Sequence, residues 1–157
     1  LICANTMHLC VDAINRTAGI PVVHIAEVTA EKIRAQGIKK VALLGTKFTM
    51  EKDFFKDILK ANDIEAVIPD KSDREEVHGI IYKELVQGIL KDSSKRSYLR
   101  IIEKLKNKGA EGVILGCTEI PLLIHPEDVD LPLFNTTKLH AEKAVYLSLE
   151  KENEPVS

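Results

Sequence analysis

The sequence of 157 residues suits one ordinary domain, or one domain with part of a neighbour. With 45% hydrophobic and 29% charged residues, it is too apolar for a disordered chain. Its 22 basic and 24 acidic side chains leave a net charge of −2 and form no basic stripe, which argues against a nucleic-acid partner. No apolar run approaches the roughly 20 residues that span a bilayer, so a soluble globular protein without a membrane partner is expected.

The N-terminus and the cysteines bear on where the protein works. The chain begins Leu1-Ile-Cys-Ala, which is typical of the end of a buried strand and lacks the charged region of a signal peptide. This start predicts a fragment whose N-terminal portion is missing. Cys3, Cys10 and Cys117 are an odd, sparse set, which argues against a secreted disulfide framework. We therefore expect a reducing, cytoplasmic location.

Short β-branched runs alternate with amphipathic stretches along the chain. After a strand end and a helix in 1–18, the pattern predicts buried strands at 21–25, 40–45, 64–68 and 112–116. Helices are predicted at about 26–36, 49–62, 73–90 and 95–108, the third opened by a capping box at Ser72 and Glu75. A short strand at 131–134 and a helix capped by Asn135 end the pattern.

Strands that alternate with helices of this length favour an α/β fold with a doubly wound, parallel, four-stranded sheet. We expect the complete lobe in residues 20–118. Residues 1–19 and 119–157 cannot bury their apolar surfaces alone. They are predicted to belong to a second lobe, the first as a partial lobe and the second as a C-terminal return to it.

Small polar residues follow several predicted strands, where open parallel sheets bind ligands because helix N-termini offer unpaired N–H groups. These residues are Asn5, Thr6, Thr46, Thr49, Cys117 and Thr118. Helix capping explains each of them singly. Cys117 stands where a following helix would stabilise a thiolate, so we expect a lowered pKa and faster alkylation than at Cys3 or Cys10.

Other familiar sites are not found in the sequence. It contains neither a P-loop nor a dinucleotide-binding glycine pattern. Cys3 and His8 have a plausible spacing for a metal, but no second pair accompanies them, so no metal is expected. His24 is expected in a strand core, and His140 on a helix as a surface or packing residue.

Three segments together resemble the aspartate/glutamate racemase family. They are Ile-Cys-Ala-Asn-Thr-Met-His at 2–8, Leu-Gly-Thr-Lys-Phe-Thr-Met at 44–50 and Leu-Gly-Cys-Thr-Glu-Ile-Pro at 115–121. The resemblance implies two pseudo-symmetric flavodoxin-like lobes with the active site between them. It also implies racemisation of acidic or related amino acids without pyridoxal phosphate or another cofactor, and it allows a homodimer.

The resemblance assigns roles to the polar residues. Two facing bases remove and return the α-proton, and Cys117 matches the second of them. The first base directly precedes Asn-Thr in the family, and Ala4 occupies that position here. The adjacent Cys3 should face away from the cleft, because successive side chains of a strand point to opposite faces. The carboxylate cradle would be formed by Asn5, Thr6, Thr46, Thr49 and Thr118.

Ala4 leaves three functions open. The first is the racemase, with water or another residue as the second proton source. The second is a one-cysteine decarboxylase or isomerase of a small dicarboxylate, and the third is a non-catalytic protein that binds carboxylates. Lys83 and Gln87 lie where the family often places a lysine that binds the distal carboxylate of the substrate.

Overall fold

Four parallel strands form one sheet in the computed structural model, which describes residues 1–151, with side chains for 1–149. The strands are β1 (Lys40–Gly45), β2 (Glu65–Val67), β3 (Gly112–Gly116) and β4 (Leu133–Asn135). Their spatial order is β2-β1-β3-β4, and every neighbouring pair is parallel. The predicted α/β fold with a parallel four-stranded sheet is therefore confirmed.

Helices cover both faces of the sheet. They are α1 (Val11–Ala18), α2 (Ile25–Arg34), α3 (Lys47–Glu51), α4 (Asp53–Ala61), α5 (Lys71–Lys83), α6 (Asp92–Asn107) and α7 (Thr136–Lys151). Alternate residues of a strand face opposite sides. Ala42 and Leu44 of β1 pack against α5 and α6, whereas Val41 and Leu43 pack against α2 and α4. Each face thus has its own apolar core, as in a doubly wound sheet.

The sheet differs from the expected one in its fourth strand. Residues 21–24 are irregular and lead into α2, because Nδ1 of His24 accepts a hydrogen bond from the Ala26 N–H and caps that helix. The fourth strand is instead β4, which pairs with β3 in the register Ile114↔Phe134. The sheet therefore extends past the expected lobe boundary at residue 118, because the chain after residue 118 returns to this sheet as β4.

Several helix boundaries also differ from the prediction. The helix expected at 49–62 is two helices, α3 and α4, because Lys52 between them has an extended backbone. Helix α5 is capped by Asp70, whose carboxylate accepts from the Asp73 N–H, so the predicted capping box at Ser72 and Glu75 is wrong. A 3-10 turn at Leu85–Gln87 follows α5. None of the described helices is long and apolar enough to cross a membrane.

The N-terminal segment is irregular from Leu1 to Ala4, and is not a strand end as predicted. A 3-10 turn (Thr6–Cys10) and α1 follow. Three buried histidines connect this turn to the helices. The ring of His8 lies 4.7 Å from that of His24 and 5.4 Å from that of His140. His140, expected as a surface or packing residue, is buried, and its Nε2 donates to the Val23 carbonyl.

Burial lowers the pKa of His24 to about 4, and repulsion from His8 and His140 adds to this effect while Asp12 opposes it. Burial also lowers the pKa of His8 and of His140. The cluster is therefore uncharged in the folded protein near neutral pH. An unfolded chain would take up protons on the same histidines below about pH 6.5.

The folded state thus binds fewer protons than the unfolded state between pH 6.5 and about 4, so the free energy of unfolding should fall as the pH is lowered through this window. The slope is at most about 1.4 kcal/mol per pH unit for each histidine. The His24→Asn variant keeps a side-chain acceptor for the cap of α2. Its free energy of unfolding, measured in urea, should depend less steeply on pH than that of the wild type. His125→Asn, outside the cluster, is the control, and equal slopes in wild type and His24→Asn would contradict the prediction.

Candidate functional site

The candidate site lies where β1 and β3 end side by side. Gly45 pairs with Gly116, and the two backbones approach so closely that side chains are excluded. A Cβ atom on Gly45 would lie 2.9 Å from the Gly116 carbonyl oxygen, and one on Gly116 would lie 2.7 Å from the Leu44 oxygen. The next residues along the two strands, Thr46 and Cys117, are thereby brought to the same edge of the sheet.

A cavity of about 170 Å³ opens at this edge. It is lined by Ala4, Asn5, Thr6, Thr46, Ile81, Tyr82, Val86, Gly116, Cys117, Thr118 and Glu119. A larger depression, about 680 Å³, lies at the opposite edge among solvated residues such as Lys39 and Asp53. Because ligands of open parallel sheets bind at the carboxyl ends of the strands, the smaller cavity is the candidate site.

Three threonine hydroxyls form a cluster on one side of the cavity. Thr46 caps α3 and accepts from the Thr49 N–H, and the two hydroxyl oxygens are 3.2 Å apart. The Thr6 hydroxyl is 3.3 Å from that of Thr46. Thr49 is fully buried and does not line the cavity, in contrast to the other threonines of the expected cradle. Thr6 and Thr46 therefore present hydroxyls to the cavity, whereas the hydroxyl of Thr118, which also lines it, donates to Glu119.

The orientation of the buried Asn5 amide follows from its hydrogen-bond partner. The Thr136 hydroxyl donates its hydrogen to the Leu115 carbonyl at 3.0 Å, so its oxygen can only accept from Asn5. Nδ2 of Asn5 accordingly donates to Thr136 at 3.1 Å. Oδ1 of Asn5 is then a buried acceptor without a hydrogen-bond partner among residues 1–149. This oxygen is itself enclosed, with less than 1 Å² of accessible surface.

The Cys117 thiol donates a hydrogen bond to Oε2 of Glu119 at 2.9 Å. Burial, followed by this hydrogen bond and the charge of Glu119, raises the pKa of Cys117 to about 12. The predicted lowering of this pKa is therefore wrong. The chain does not enter an α-helix directly after β3 but a 3-10 turn at Ile120–Leu122, so the helix N-terminus that would have stabilised a thiolate is missing there.

Glu119 is the charged residue of the cavity lining. Partial burial raises the pKa of its carboxyl, but hydrogen bonds from Cys117 and Thr118 outweigh burial, and the net pKa is lowered. Near neutral pH the pair therefore consists of a thiol and a carboxylate. This arrangement can accept a cationic group and can exchange a proton between sulfur and oxygen.

The position of the expected first base lies on the cavity wall, but Ala4 has no proton to give or take. Cys3 is exposed and does not line this cavity, in agreement with the orientation predicted for it. Among the residues with described side chains, no three His, Cys, Asp or Glu are grouped so that they could hold a metal ion.

Sequence reasoning missed the apolar wall of the cavity. Lys83 and Gln87 are exposed and do not line it; Ile81, Tyr82 and Val86 do. The side chain of Tyr82 is supported by the ring of His78, whose centroid is 4.6 Å away. The helical prediction for 73–90 concealed this wall, because α5 ends at Lys83 and the 3-10 turn then changes the direction of the following side chains.

Comparison with known sequences connects this geometry with a family. Residues 1–144 match the profile of the Asp/Glu/Hydantoin racemase family. An uncharacterized protein in the pnlA 3′ region of Pectobacterium carotovorum subsp. carotovorum is 31% identical over 105 residues, which cover 67% of this chain and 69% of that protein.

Solved structures agree with this match. A Yersinia pestis protein assigned as an Asp/Glu racemase is 46% identical, with a TM-score of 0.89 over 94% of this chain. An aspartate racemase homologue from Pyrococcus horikoshii OT3 is 42% identical, with a TM-score of 0.85 over 93% of this chain. The present chain spans 64% of the length of each, less than two thirds. A glutamate racemase from Francisella tularensis, 17% identical with a TM-score of 0.72 over 98% of this chain and 58% of its own, shares the fold.

The reactivity of the three thiols tests the description of the site. Cys3 and Cys10 are exposed, whereas Cys117 is buried and has a pKa of about 12. Near neutral pH, a limiting amount of iodoacetamide should label the two exposed thiols at least about tenfold faster than Cys117, because the thiolate is the reactive form. Mass spectrometry of the digested protein gives the labelling rate of each cysteine. Labelling in urea is the control, in which the three rates should become similar. Preferential labelling of Cys117 would refute this geometry.

Proposed function

Because this chain belongs to the Asp/Glu/Hydantoin racemase family, we propose that its cavity exchanges the α-proton of an amino acid and so racemises it. The observation that carries the proposal is the complementarity of the cavity to a zwitterion. Glu119, which lines the cavity, offers a negative charge to an ammonium group. The hydroxyls of Thr6 and Thr46, which also line the cavity, offer donors to a carboxylate.

This assignment changes the role expected for Asn5. A carboxylate ligand would need the N–H groups of the amide, but Thr136 already takes one of them and fixes the direction of the side chain. We therefore assign Asn5 a positioning role, because its hydrogen bond to Thr136 holds the N-terminal turn against the end of β3.

The α-proton of an amino acid is very weakly acidic, so removal requires stabilisation of the charge that develops on the carboxylate oxygens. In the proposed step the Cys117 thiol transfers its proton to Glu119 along the 2.9 Å hydrogen bond. This transfer is uphill, because the pKa of the thiol is raised and that of the carboxyl is lowered. The thiolate then takes the α-proton, which leaves a planar carbanion and a thiol. An ammonium group in the cavity lowers the pKa of the thiol, and it also lowers that of the Glu119 carboxyl, so this transfer remains the costly part of the step.

Return of the proton on the opposite face gives the other enantiomer. Ala4 supplies no proton there, so that step needs a source other than residue 4. If the source is lacking, protons enter and leave from the Cys117 side alone. Exchange would then proceed with retention, as in a one-base decarboxylase or isomerase. Ala4 is the observation that keeps this second function as a candidate.

The proposal is tested by NMR of amino acids incubated with the protein in D₂O. We expect deuterium to enter at the α-carbon with inversion for at least one amino acid. Cys117→Ala and Glu119→Gln should each lower the rate by about 10²-fold or more, the usual contribution of acid–base groups. Cys10→Ala and Glu127→Gln, both at exposed positions, are the matched controls. Exchange that persists in Cys117→Ala, or no exchange with any amino acid, would contradict the mechanism.

A gain of function tests the vacant first-base position. Ala4 lines the cavity, so Ala4→Cys adds a thiol on that wall. The ratio of racemisation to total exchange should rise several-fold, because a second acid–base group then serves the opposite face. Chiral chromatography of the product and NMR of the deuterium content give this ratio. Ala18→Cys, at an exposed position, is the control, and an unchanged ratio would show that the second face does not limit the reaction.

A further inference from the structure

We propose that His78 is a positioning residue of the site, which holds the Thr46 hydroxyl in the place where a substrate carboxylate binds. The inference rests on the proposed function, since that function assigns Thr46 to the carboxylate. Nδ1 of His78, on α5, accepts a hydrogen bond from the Lys47 N–H at 3.1 Å. Lys47 directly follows Thr46, so this bond fixes the backbone next to the carboxylate donor.

The direction of this hydrogen bond follows from its donor. A backbone N–H can only donate, so Nδ1 of His78 carries no proton, and the ring keeps its proton on Nε2. The Lys47 N–H is the first of α3, and the first N–H groups of a helix have no carbonyl partner within that helix. The Thr46 hydroxyl accepts from the Thr49 N–H, two residues further along. His78 therefore completes the cap of α3 from another helix.

The place of the Thr46 hydroxyl depends on this cap because α3 is short. A helix of five residues has too few backbone hydrogen bonds to be stable alone. The hydroxyl of Thr46 lies 3.3 Å from that of Thr6 and 3.2 Å from that of Thr49. A shift of the first turn of α3 would change these distances and the direction in which Thr46 donates. Misplacement of a substrate-binding group by about 1 Å can cost about 10²-fold in rate.

The ion pairs between α3 and α5 are poor substitutes for this bond. The Lys47 ammonium lies 3.6 Å from a carboxylate oxygen of Glu75, and both side chains are partly exposed. Exposed pairs of this kind contribute little to stability. Arg74 pairs with Glu51, at the other end of α3 from Thr46. The His78 bond differs from both pairs, because it is directional and reaches the main chain beside the site.

The His78 ring also contacts the apolar side of the cavity. Its centroid lies 4.6 Å from that of Tyr82, which lines the cavity, and 6.4 Å from that of Phe48 on α3. One half-buried imidazole thus connects the hydroxyl side of the cavity with its apolar side. The ring contacts concern packing and the hydrogen bond concerns position, so separate substitutions can distinguish the two roles.

Two substitutions of His78 provide the test. His78→Asn keeps an acceptor close to the place of Nδ1 and removes the ring, whereas His78→Phe keeps a ring and removes the acceptor. The measurement is α-proton exchange in D₂O with an amino acid that the wild-type protein exchanges. In His78→Phe, kcat/KM should fall about fivefold or more, the equivalent of one hydrogen bond. In His78→Asn it should stay within about twofold of the wild-type value, because the acceptor is retained.

The matched control is Glu75→Gln, which removes the ion pair of Lys47 and leaves its N–H in place, and kcat/KM should not change. His78→Leu also lacks an acceptor and should behave as His78→Phe does. Equal losses in the Asn and Phe variants, or no loss in the Phe and Leu variants, would overturn the inference and leave the proposed function intact.

A double-mutant cycle tests whether His78 acts through Thr46. Thr46→Val removes the hydroxyl, so His78→Phe in that background should lower kcat/KM by less than about twofold more. The full fivefold loss in that background would overturn the inference, because His78 would then act on the protein in general.

If no amino acid exchanges, the proposed function fails, and calorimetric titration with L-aspartate and L-glutamate decides the inference. Binding that is weakened about fivefold in His78→Phe and retained in His78→Asn would support it. Equal binding by the two variants, or binding of neither amino acid to the wild-type protein, would overturn it.

Discussion

The close approach of β1 and β3 at Gly45 and Gly116 is the constraint on which the site depends. Any Cβ at either position would meet the backbone of the other strand at less than 3.0 Å, so a side chain there would force the strand ends apart. The residues that follow, Thr46 and Cys117, would separate with them. The donor that can bind a carboxylate and the thiol that can move a proton share one small cavity because two glycines let the strands touch.

A second constraint joins the N-terminal segment to this sheet edge. Thr136 donates to the Leu115 carbonyl of β3 and accepts from Asn5, so one hydroxyl fixes both the place and the direction of the Asn5 amide. His8 donates from Nδ1 to the Ala4 carbonyl at 3.0 Å and packs between two other histidines. Protonation of this cluster would therefore disturb the same turn that carries Asn5 and Thr6 into the cavity.

The alternation of strands and helices was sufficient to predict a parallel α/β sheet with Thr46 and Cys117 at one edge. Asn5 lines the same cavity, but it follows an irregular segment and not the strand end that was expected. The pattern alone does not show that residues 133–135, and not residues 21–25, form the fourth strand, because a short β-branched run becomes a strand only where a neighbouring strand pairs with it. The pKa of Cys117 was mispredicted for a similar reason. The residues after β3 are compatible with a helix start, and tertiary burial together with Glu119 decides the outcome.

A raised thiol pKa is compatible with acid–base chemistry when the substrate itself changes the electrostatics. In the resting cavity the thiol keeps its proton and donates to Glu119, which limits alkylation and oxidation of the sulfur. An incoming ammonium group near Glu119 would offset the charge of that carboxylate, which is one of the causes of the raised pKa of Cys117. Glu119 therefore holds the thiol protonated in the resting cavity, and in the proposed reaction it is also the charge on which the substrate would act.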